Sequence, residues 1–350
     1  MKWTTFTRRR ALAAGGSLVA ASSIVEAQQL IGEPPGRIAP ASELVNAYEF
    51  EGMAQRKLGS LISAEFASSD RKAMDRITFN PRMMVNSYKL DLTTPLFGDN
   101  LFAPILIGPT ADQKRFHPDG ELAMVRGAAD AKTLMVVSDR SSVPIEQIAA
   151  LAKTTLWYQV YPEQDATTVR SRIDRAVKAG CKALIITAGV PPGGDPKAPR
   201  LTDWNAIERL RQGAKVPVIL KGVMTPEEAQ AAVARGFQGI VVSNYSGRAT
   251  PGTASTILGL QAIADAVGGK ATILIDGGFA RGSDVLKALA LGAKGVLMGR
   301  PPLWGLAAHG SDGVKFLIQL IQNELARDMV MCGLVNISSI TRAAVTIHRR

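Results

Sequence analysis

Eight short apolar runs alternate with helical patterns between residues 104 and 298. Short apolar runs are typical of strands buried in a parallel sheet, and amphipathic segments between them are typical of the helices that connect such strands. Eight such units within about 200 residues predict an α/β fold, a closed (β/α)8 barrel. A doubly wound open sheet is the alternative. The runs span residues 104–108, 134–138, 155–160, 183–187, 216–221, 239–243, 272–276 and 295–298.

The helical patterns complete this picture. A helical extension is expected over residues 41 to about 61, ahead of the barrel, because apolar and polar residues alternate there at helical spacing. Residues 313–331 are expected to form a final helix on the outside of the barrel. The patterns between the strands span residues 121–131, 145–151, 166–179, 204–212, 226–235, 255–266 and 283–291.

Glycine-rich turns follow the last two apolar runs. The first contains Gly277 and Gly278 and opens a helix, and the second contains Gly299 and Arg300. Backbone N–H groups at the start of a helix favour an anion, glycine lets the backbone approach it closely, and arginine adds donors. Barrels of this class commonly bind a phosphate beside strands 7 and 8. The sequence therefore predicts a phosphate site, and two tight turns without a ligand are the alternative.

Polar residues end most of the apolar runs. The reactive end of such a barrel is the carboxyl end of its strands. Any one of these residues could simply meet solvent, but the same phase recurs on nearly every strand, which predicts a polar ring around a large ligand. The residues are Ser138, Gln159 with Tyr161, Thr187, Lys221, Ser243 with Asn244, Asp276 and Arg300.

The chain is basic, with a formal net charge of +11. Residues 1–27 hold four basic residues and one acidic residue, so they account for +3 and leave +8. No basic stripe is interleaved with aromatic residues, which argues against nucleic-acid binding. The charge favours anionic small molecules or anionic envelope surfaces. We expect no metal site, because Cys181 and Cys332 lack metal-ligand spacing and only three histidines occur.

The N-terminal 27 residues are typical of an export signal. Arg8, Arg9 and Arg10 precede an apolar stretch, residues 11–25, that is too short to span a bilayer permanently, and Ala27 offers a cleavage site before Gln28. The paired arginines resemble a bacterial twin-arginine signal. An ordinary secretory signal and a retained amphipathic tail are the alternatives. We expect a linker over residues 28–41, a single barrel domain over 42–350, and a periplasmic or secreted protein.

Several motifs resemble those of the FMN-dependent 2-hydroxy acid oxidase and dehydrogenase family, which includes glycolate oxidase, lactate oxidase and mandelate dehydrogenase. The resemblance runs from about residue 44 to about residue 342 and is most specific in the last third. The matching segments are residues 103–111, 117–121, 158–161, 218–222, 240–244, 273–282, 284–293 and 295–301.

This resemblance implies an FMN at the carboxyl end of the barrel. Lys221 would lie near the N1 and C2 carbonyl edge of the flavin, where reduction places negative charge, and Asp276 would bind ribityl hydroxyls. Tyr161, Lys221, Tyr245 and Arg248 would carry the chemistry. The other implied contacts are Pro109, Thr110 and Ala111 on one flavin face, Ser138, Gln159, Thr187 and Ser243 on the ring or ribityl chain, and Gly277, Gly278, Arg281, Gly299 and Arg300 at the phosphate.

The catalytic pair of the family is missing. Its base is the histidine of Ser-Asn-His-Gly-x-Arg, where this chain has Tyr245, and the aspartate that orients the histidine is replaced by Gly189. The family also has a tyrosine that binds the substrate carboxylate, and the corresponding position here is about Glu65. The first arginine after the family's phosphate turn is replaced by Ala280. The loop after the fourth strand is cut to roughly residues 191–202. Two residues of the family pattern are retained: Tyr161, and Arg248, which binds the substrate carboxylate in the family.

The replacement of the family's histidine by Tyr245 greatly lowers the basicity of the group at this position. A tyrosine with a pKa of about 10 is ionised to only about 0.1% at neutral pH, and making it a competent base takes about 4 kcal/mol of differential stabilisation. Three hypotheses follow: an exported FMN oxidoreductase with altered chemistry, ordinary 2-hydroxy acid oxidation with Tyr245 as the base, and a non-catalytic FMN- or ligand-binding protein. We expect a small carboxylate substrate and, from the resemblance, a homo-oligomer; the electron acceptor is open.

Overall fold

The centre of the fold is a closed barrel of eight parallel strands. The architecture comes from a computed structural model, which describes residues 37–59, 71–82, 84–86, 88–162, 165–188, 203–245 and 255–348. The barrel belongs to the unit formed by residues 40–350. The strands are β1 (Ile77–Phe79), β2 (Thr94–Leu96), β3 (Asp99–Leu101), β4 (Ile105–Ile107), β5 (Met135–Ser138), β6 (Leu156–Val160), β7 (Leu184–Thr187), β8 (Val218–Val223), β9 (Gly239–Val242), β10 (Thr272–Ile275), β11 (Gly295–Met298) and β12 (Val345–Ile347).

The barrel strands follow chain order from β4 to β11, and the pairing of β11 with β4 closes the ring. Each barrel strand lies in one of the eight predicted apolar runs, and only β8 extends past its predicted end, to Val223. The predicted (β/α)8 barrel is therefore confirmed and the open sheet is excluded. Most residues of these strands are buried, as expected for parallel strands covered by helices.

Helices connect the strands and surround the barrel. Several begin at polar caps: the Asp165 side chain accepts from two backbone N–H groups, and Thr225 forms a capping box with Glu228. The α-helices are α1 (Ala47–Leu58), α2 (Lys72–Asp75), α3 (Glu121–Asp130), α4 (Ile145–Leu151), α5 (Ala166–Lys178), α6 (Trp204–Arg211), α7 (Pro226–Ala234), α8 (Thr256–Val267), α9 (Gly282–Ala290) and α10 (Arg300–Met331). Short 3-10 helices span Ala41–Glu43, Gln113–Arg115, Ile337–Ser339 and Arg342–Ala344.

The final helix is longer than the sequence predicts. It was expected over residues 313–331, but α10 begins at Arg300, directly after β11, and bends where His309 and Gly310 leave helical geometry. Gly310 has φ 59°, a left-handed conformation that favours glycine. The first part of α10 therefore starts at the second predicted phosphate turn, and the second part packs on the outside. No helix within the described ranges is both long and apolar enough to span a membrane.

An antiparallel hairpin covers the amino-terminal end of the barrel. Its strands, β2 and β3, bring Leu96, Phe97 and Leu101 against the barrel interior. The ring of Phe97 meets Trp157 edge-on at a centroid distance of 5.5 Å. Gly239 leaves room for it, since a Cβ there would lie 2.8 Å from the Phe97 ring. This end of the barrel is thus filled by apolar side chains.

Candidate active site

The polar residues predicted to form a ring share one phase of the strands. The apolar barrel core contains Val136, Trp157, Ile185, Ile219, Val241 and Leu274. Side chains of a strand alternate between its two faces, so residues two positions further on point to the same interior. Those residues are Ser138, Gln159, Thr187, Lys221, Ser243 and Asp276. The ring therefore forms the next layer above the apolar core, at the carboxyl end of the strands.

Lys221 contacts two other residues of this layer. Its Nζ is 2.6 Å from Asp276 Oδ2 and donates to Ser243 Oγ at 2.6 Å, and the residue is only 4% exposed. A buried ammonium is stable only when it is paired, and this one is held by the residues that directly follow β9 and β10. Gly222, with φ 109°, and a bulge follow Lys221 and locally shift the register of β8 against β9. The cation is therefore fixed in position.

Two buried polar atoms of the ring have no hydrogen-bond partner among the described residues. They are Gln159 Nε2 and Thr187 Oγ1, and each residue is 1% exposed. The other end of the Gln159 amide is fixed, because Oε1 accepts from Ser138 Oγ at 3.0 Å. An unsatisfied buried polar group costs about 1–3 kcal/mol. A ligand with hydrogen-bonding edges, such as a flavin ring and its ribityl chain, fits this requirement.

The two glycine turns lie side by side, because β10 and β11 are neighbours. Gly277 and Gly278 have φ 96° and 86°, which other residues rarely adopt. A Cβ at Gly277 would lie 3.1 Å from Thr256 Oγ1, and that hydroxyl donates to the Asp276 carbonyl at 2.6 Å. Gly299 caps α10 and Arg300 is its first residue. These turns could hold a phosphate.

The segment after β4 closes over the second turn. A Cβ at Gly108 would lie 3.3 Å from the Met298 carbonyl oxygen, and one at Gly299 would lie 3.7 Å from Thr110 Cγ2. Gln113 Nε2 donates to Thr110 Oγ1 at 2.9 Å, which fixes the threonine. Pro109, Thr110 and Ala111 therefore lie beside the turn that contains Gly299, as a flavin-facing segment requires.

The Arg281 side chain forms an ion pair with Glu324 of α10. Its Nε lies 2.8 Å and 2.9 Å from the two carboxylate oxygens of Glu324. The Ala280 and Arg281 N–H groups donate to Asp284 Oδ2, each at 3.0 Å, and the Gly282 N–H donates to Glu324 at 2.8 Å. These backbone donors are thus taken by carboxylates. A phosphate contact from Arg281 stays a prediction.

Two tyrosines meet above the ring. The ring centroids of Tyr161 and Tyr245 are 6.1 Å apart, their side chains share a hydrogen bond, and Lys221 Nζ lies 5.1 Å from the Tyr245 centroid. Burial raises the pKa of Tyr161 well above its usual range, and Tyr245 raises it further by charge and by the hydrogen bond. The raised pKa favours the protonated hydroxyl of Tyr161, which is therefore available as a donor.

Three residues singled out in the sequence lie outside the described residues: Glu65, Gly189 and Arg248. The shortened loop at 191–202 lies outside them as well. The structure adds a group that sequence reasoning missed, in which Arg71 from the start of α2 binds Asp284 of α9. An acidic residue in the first turn of a helix is a recognisable signal for Asp284. Nothing in the sequence pointed to Arg71 as its partner.

A barrel with a buried cation, unsatisfied polar atoms at its carboxyl end and two phosphate-type turns fits a flavin nucleotide. A family model described as FMN-dependent dehydrogenase matches residues 62–198 and 195–347. The chain belongs to this family of oxidoreductases, and its cofactor is FMN.

Known relatives cover most of the chain. A peroxisomal (S)-2-hydroxyacid oxidase of Arabidopsis thaliana is 35% identical over 347 residues, which are 86% of this chain and 96% of the relative. Glycolate oxidase of Spinacia oleracea is 32% identical over 353 residues, with 87% and 96% covered. A crystal structure of mandelate oxidase with (S)-2-phenylpropionate matches with a TM-score of 0.81 and 33% identity, over 88% of this chain and 100% of that one. The chain is therefore related to FMN-dependent 2-hydroxy acid oxidases.

Proposed function

We propose that the chain is an exported FMN-dependent oxidoreductase with an altered active site, which oxidises the CH–OH group of a small 2-hydroxy carboxylate. The observation that carries the proposal is the meeting of Tyr161, Lys221 and Tyr245 at the carboxyl end of the barrel. The names of the relatives support the substrate class, since they act on 2-hydroxy acids, glycolate or mandelate.

The chain's own residues fit FMN well enough to assign their roles. Gln159 and Thr187 would satisfy their buried polar atoms on the flavin, and Lys221 would face the edge that gains negative charge. The phosphate would lie between the turns that contain Gly278 and Gly299. When bound, FMN supplies the acceptor for the hydride equivalent that leaves the substrate carbon.

Tyr245 would handle the proton of the substrate hydroxyl. The side chains of Tyr161 and Tyr245 share a hydrogen bond, which a protonated Tyr161 hydroxyl would donate to the Tyr245 oxygen when Tyr245 acts as the base. The Lys221 ammonium, 5.1 Å from the Tyr245 ring, also favours the phenolate. Both contacts contribute to the stabilisation that a tyrosine base needs. Arg248 would bind the substrate carboxylate.

A panel of donors tests this proposal. Purified, oxygen-free protein is mixed with glycolate, lactate, mandelate and quinols, and the flavin absorbance near ~450 nm is followed. We expect an (S)-2-hydroxy acid to bleach the flavin and its 2-methoxy counterpart, which lacks the hydroxyl proton, to leave it unchanged. Yellow protein that no donor bleaches would contradict the proposal and support a non-catalytic binding role.

The export proposal has a separate test in a bacterial host. The double variant R8K/R9K removes the paired arginines, which a twin-arginine route requires and an ordinary secretory route does not. We expect full-length precursor to accumulate in the cytoplasm, while wild type and the R10K control yield periplasmic protein that begins at Gln28. Normal processing of R8K/R9K would rule out the twin-arginine route, and unprocessed wild type would rule out export by either route.

A further inference from the structure

Two buried carboxylates contact the start of α9, immediately after the turn that contains Gly277 and Gly278. Asp284 belongs to α9 and Glu324 to α10. Asp284 is fully buried and Glu324 is 7% exposed. Asp284 accepts the Ala280 and Arg281 N–H groups, and Glu324 accepts that of Gly282. The N-terminus of α9, where a helix favours an anion, is thus already occupied by the carboxylates of Asp284 and Glu324.

A phosphate beside these carboxylates faces a charge of the same sign. Like charges in a poorly solvated region repel strongly unless a cation compensates them. Arg281 compensates Glu324. For Asp284 the cation is Arg71, whose Nη2 lies 2.6 Å from Oδ1 and whose Nη1 lies 2.9 Å from Oδ2. This two-point pair raises the pKa of the Arg71 guanidinium, so its charge is permanent.

Arg71 is itself held from the other side. Its Nη1 donates to the Tyr48 hydroxyl at 2.7 Å. The Tyr48 ring lies 6.2 Å from that of Trp304, in the first part of α10, close to Arg300. The guanidinium therefore bridges α1 and α9, and Tyr48 in turn contacts α10, the helix that follows the second glycine turn.

We infer that Arg71 is a positioning residue for the FMN phosphate. By neutralising Asp284, it allows a buried carboxylate to hold the backbone of the turn without repelling the phosphate. The inference rests on the proposed placement of the phosphate at the two glycine turns. It also requires that Arg71 matters for FMN and not for riboflavin, which lacks the phosphate.

The test compares FMN and riboflavin affinity of the apoprotein by quenching of flavin fluorescence. We expect R71Q to weaken FMN binding by about tenfold or more and riboflavin binding by less than about twofold. R71Q/D284N removes the uncompensated charge but keeps an acceptor for the backbone, so it should restore the preference for FMN. K72Q, which removes an exposed charge one residue further along, is the matched control and should leave both affinities unchanged.

R300A separates failure of the inference from failure of the placement. If R300A lowers the preference for FMN and R71Q does not, the inference is wrong. If R300A also leaves the preference unchanged, the phosphate lies elsewhere and the proposed placement is wrong. Equal loss of both ligands in R71Q would show a merely structural role. Should R71Q fail to fold, R71K, which keeps the positive charge, and R71Q/D284N, which removes the uncompensated carboxylate, must both retain the preference for FMN; loss of the preference in either overturns the inference.

Discussion

Replacing Tyr245 with phenylalanine is expected to slow flavin reduction by a 2-hydroxy acid by about 100-fold or more. General acid–base catalysis by a positioned side chain contributes about 10²–10⁴-fold, and Y245F removes the only atom of that side chain that exchanges a proton. The ring that packs near Tyr161 and Lys221 is retained, so ligand binding should change little. Stopped-flow absorbance of the loaded protein measures the rate, and FMN affinity measured in parallel reports binding.

The matched control is Y158F, on the same strand as Gln159. Burial raises the pKa of the Tyr158 hydroxyl, which therefore stays protonated, and the variant should retain the parental rate. Y245H should retain or raise activity, because histidine has a pKa of about 6.5 and is largely available as a base at neutral pH. The rate rises with pH as a base loses its proton, so this variant should rise at lower pH than wild type. A Y245F variant as fast as wild type would remove Tyr245 from proton transfer.

Replacing Gly282 with alanine is expected to cause a large loss of stability. A Cβ there would lie 2.1 Å from the Leu325 backbone nitrogen and 2.5 Å from two atoms of Glu324, so α9 and α10 would have to separate. Overpacking against backbone atoms costs about 3 kcal/mol, which lowers Tm by about 5 °C in a domain of this size. Thermal unfolding followed by circular dichroism measures the shift.

Gly259 is the control for the change to alanine. It lies inside α8, where a Cβ would meet only the Met224 carbonyl at 3.7 Å and Ile263 Cδ1 at 3.9 Å, both ordinary contacts. Alanine is favoured over glycine inside a helix by about 0.5–1 kcal/mol, so G259A should be neutral or stabilising. Equal effects of G282A and G259A would contradict the close approach of α9 to α10.

The barrel was predictable because each of its strands and helices is encoded by a pattern within a short stretch of sequence. Each strand is a short apolar run, and each is followed by an amphipathic segment or a turn. The start of α10 was missed because residues 299–301 were interpreted only as a turn, yet Pro301 and Pro302 are tolerated in the first turn of a helix, where a proline N–H would have no partner. The bend at Gly310 then separates this part from the predicted helix.

The site was predictable only in part, for the same reason. Strand periodicity places Ser138, Gln159 and Lys221 on one face, and the family motifs name their roles. It cannot indicate which side chains from distant elements touch. The Arg71–Asp284 pair joins residues 213 positions apart, and no local pattern encodes it. The meeting of Tyr161 with Tyr245 likewise depends on the closed ring.

The pairing of β1 with β12 gives the chain a particular order of folding during synthesis. Ile77 lies opposite Ile347, so the first strand has no partner until residues 345–347 have been made. Helix α1 likewise packs against α10, so its packing partner is synthesised much later than α1 itself. Pairing between such distant segments is slow. The proposed twin-arginine route, which carries folded proteins, would let the chain close and bind its nucleotide before export.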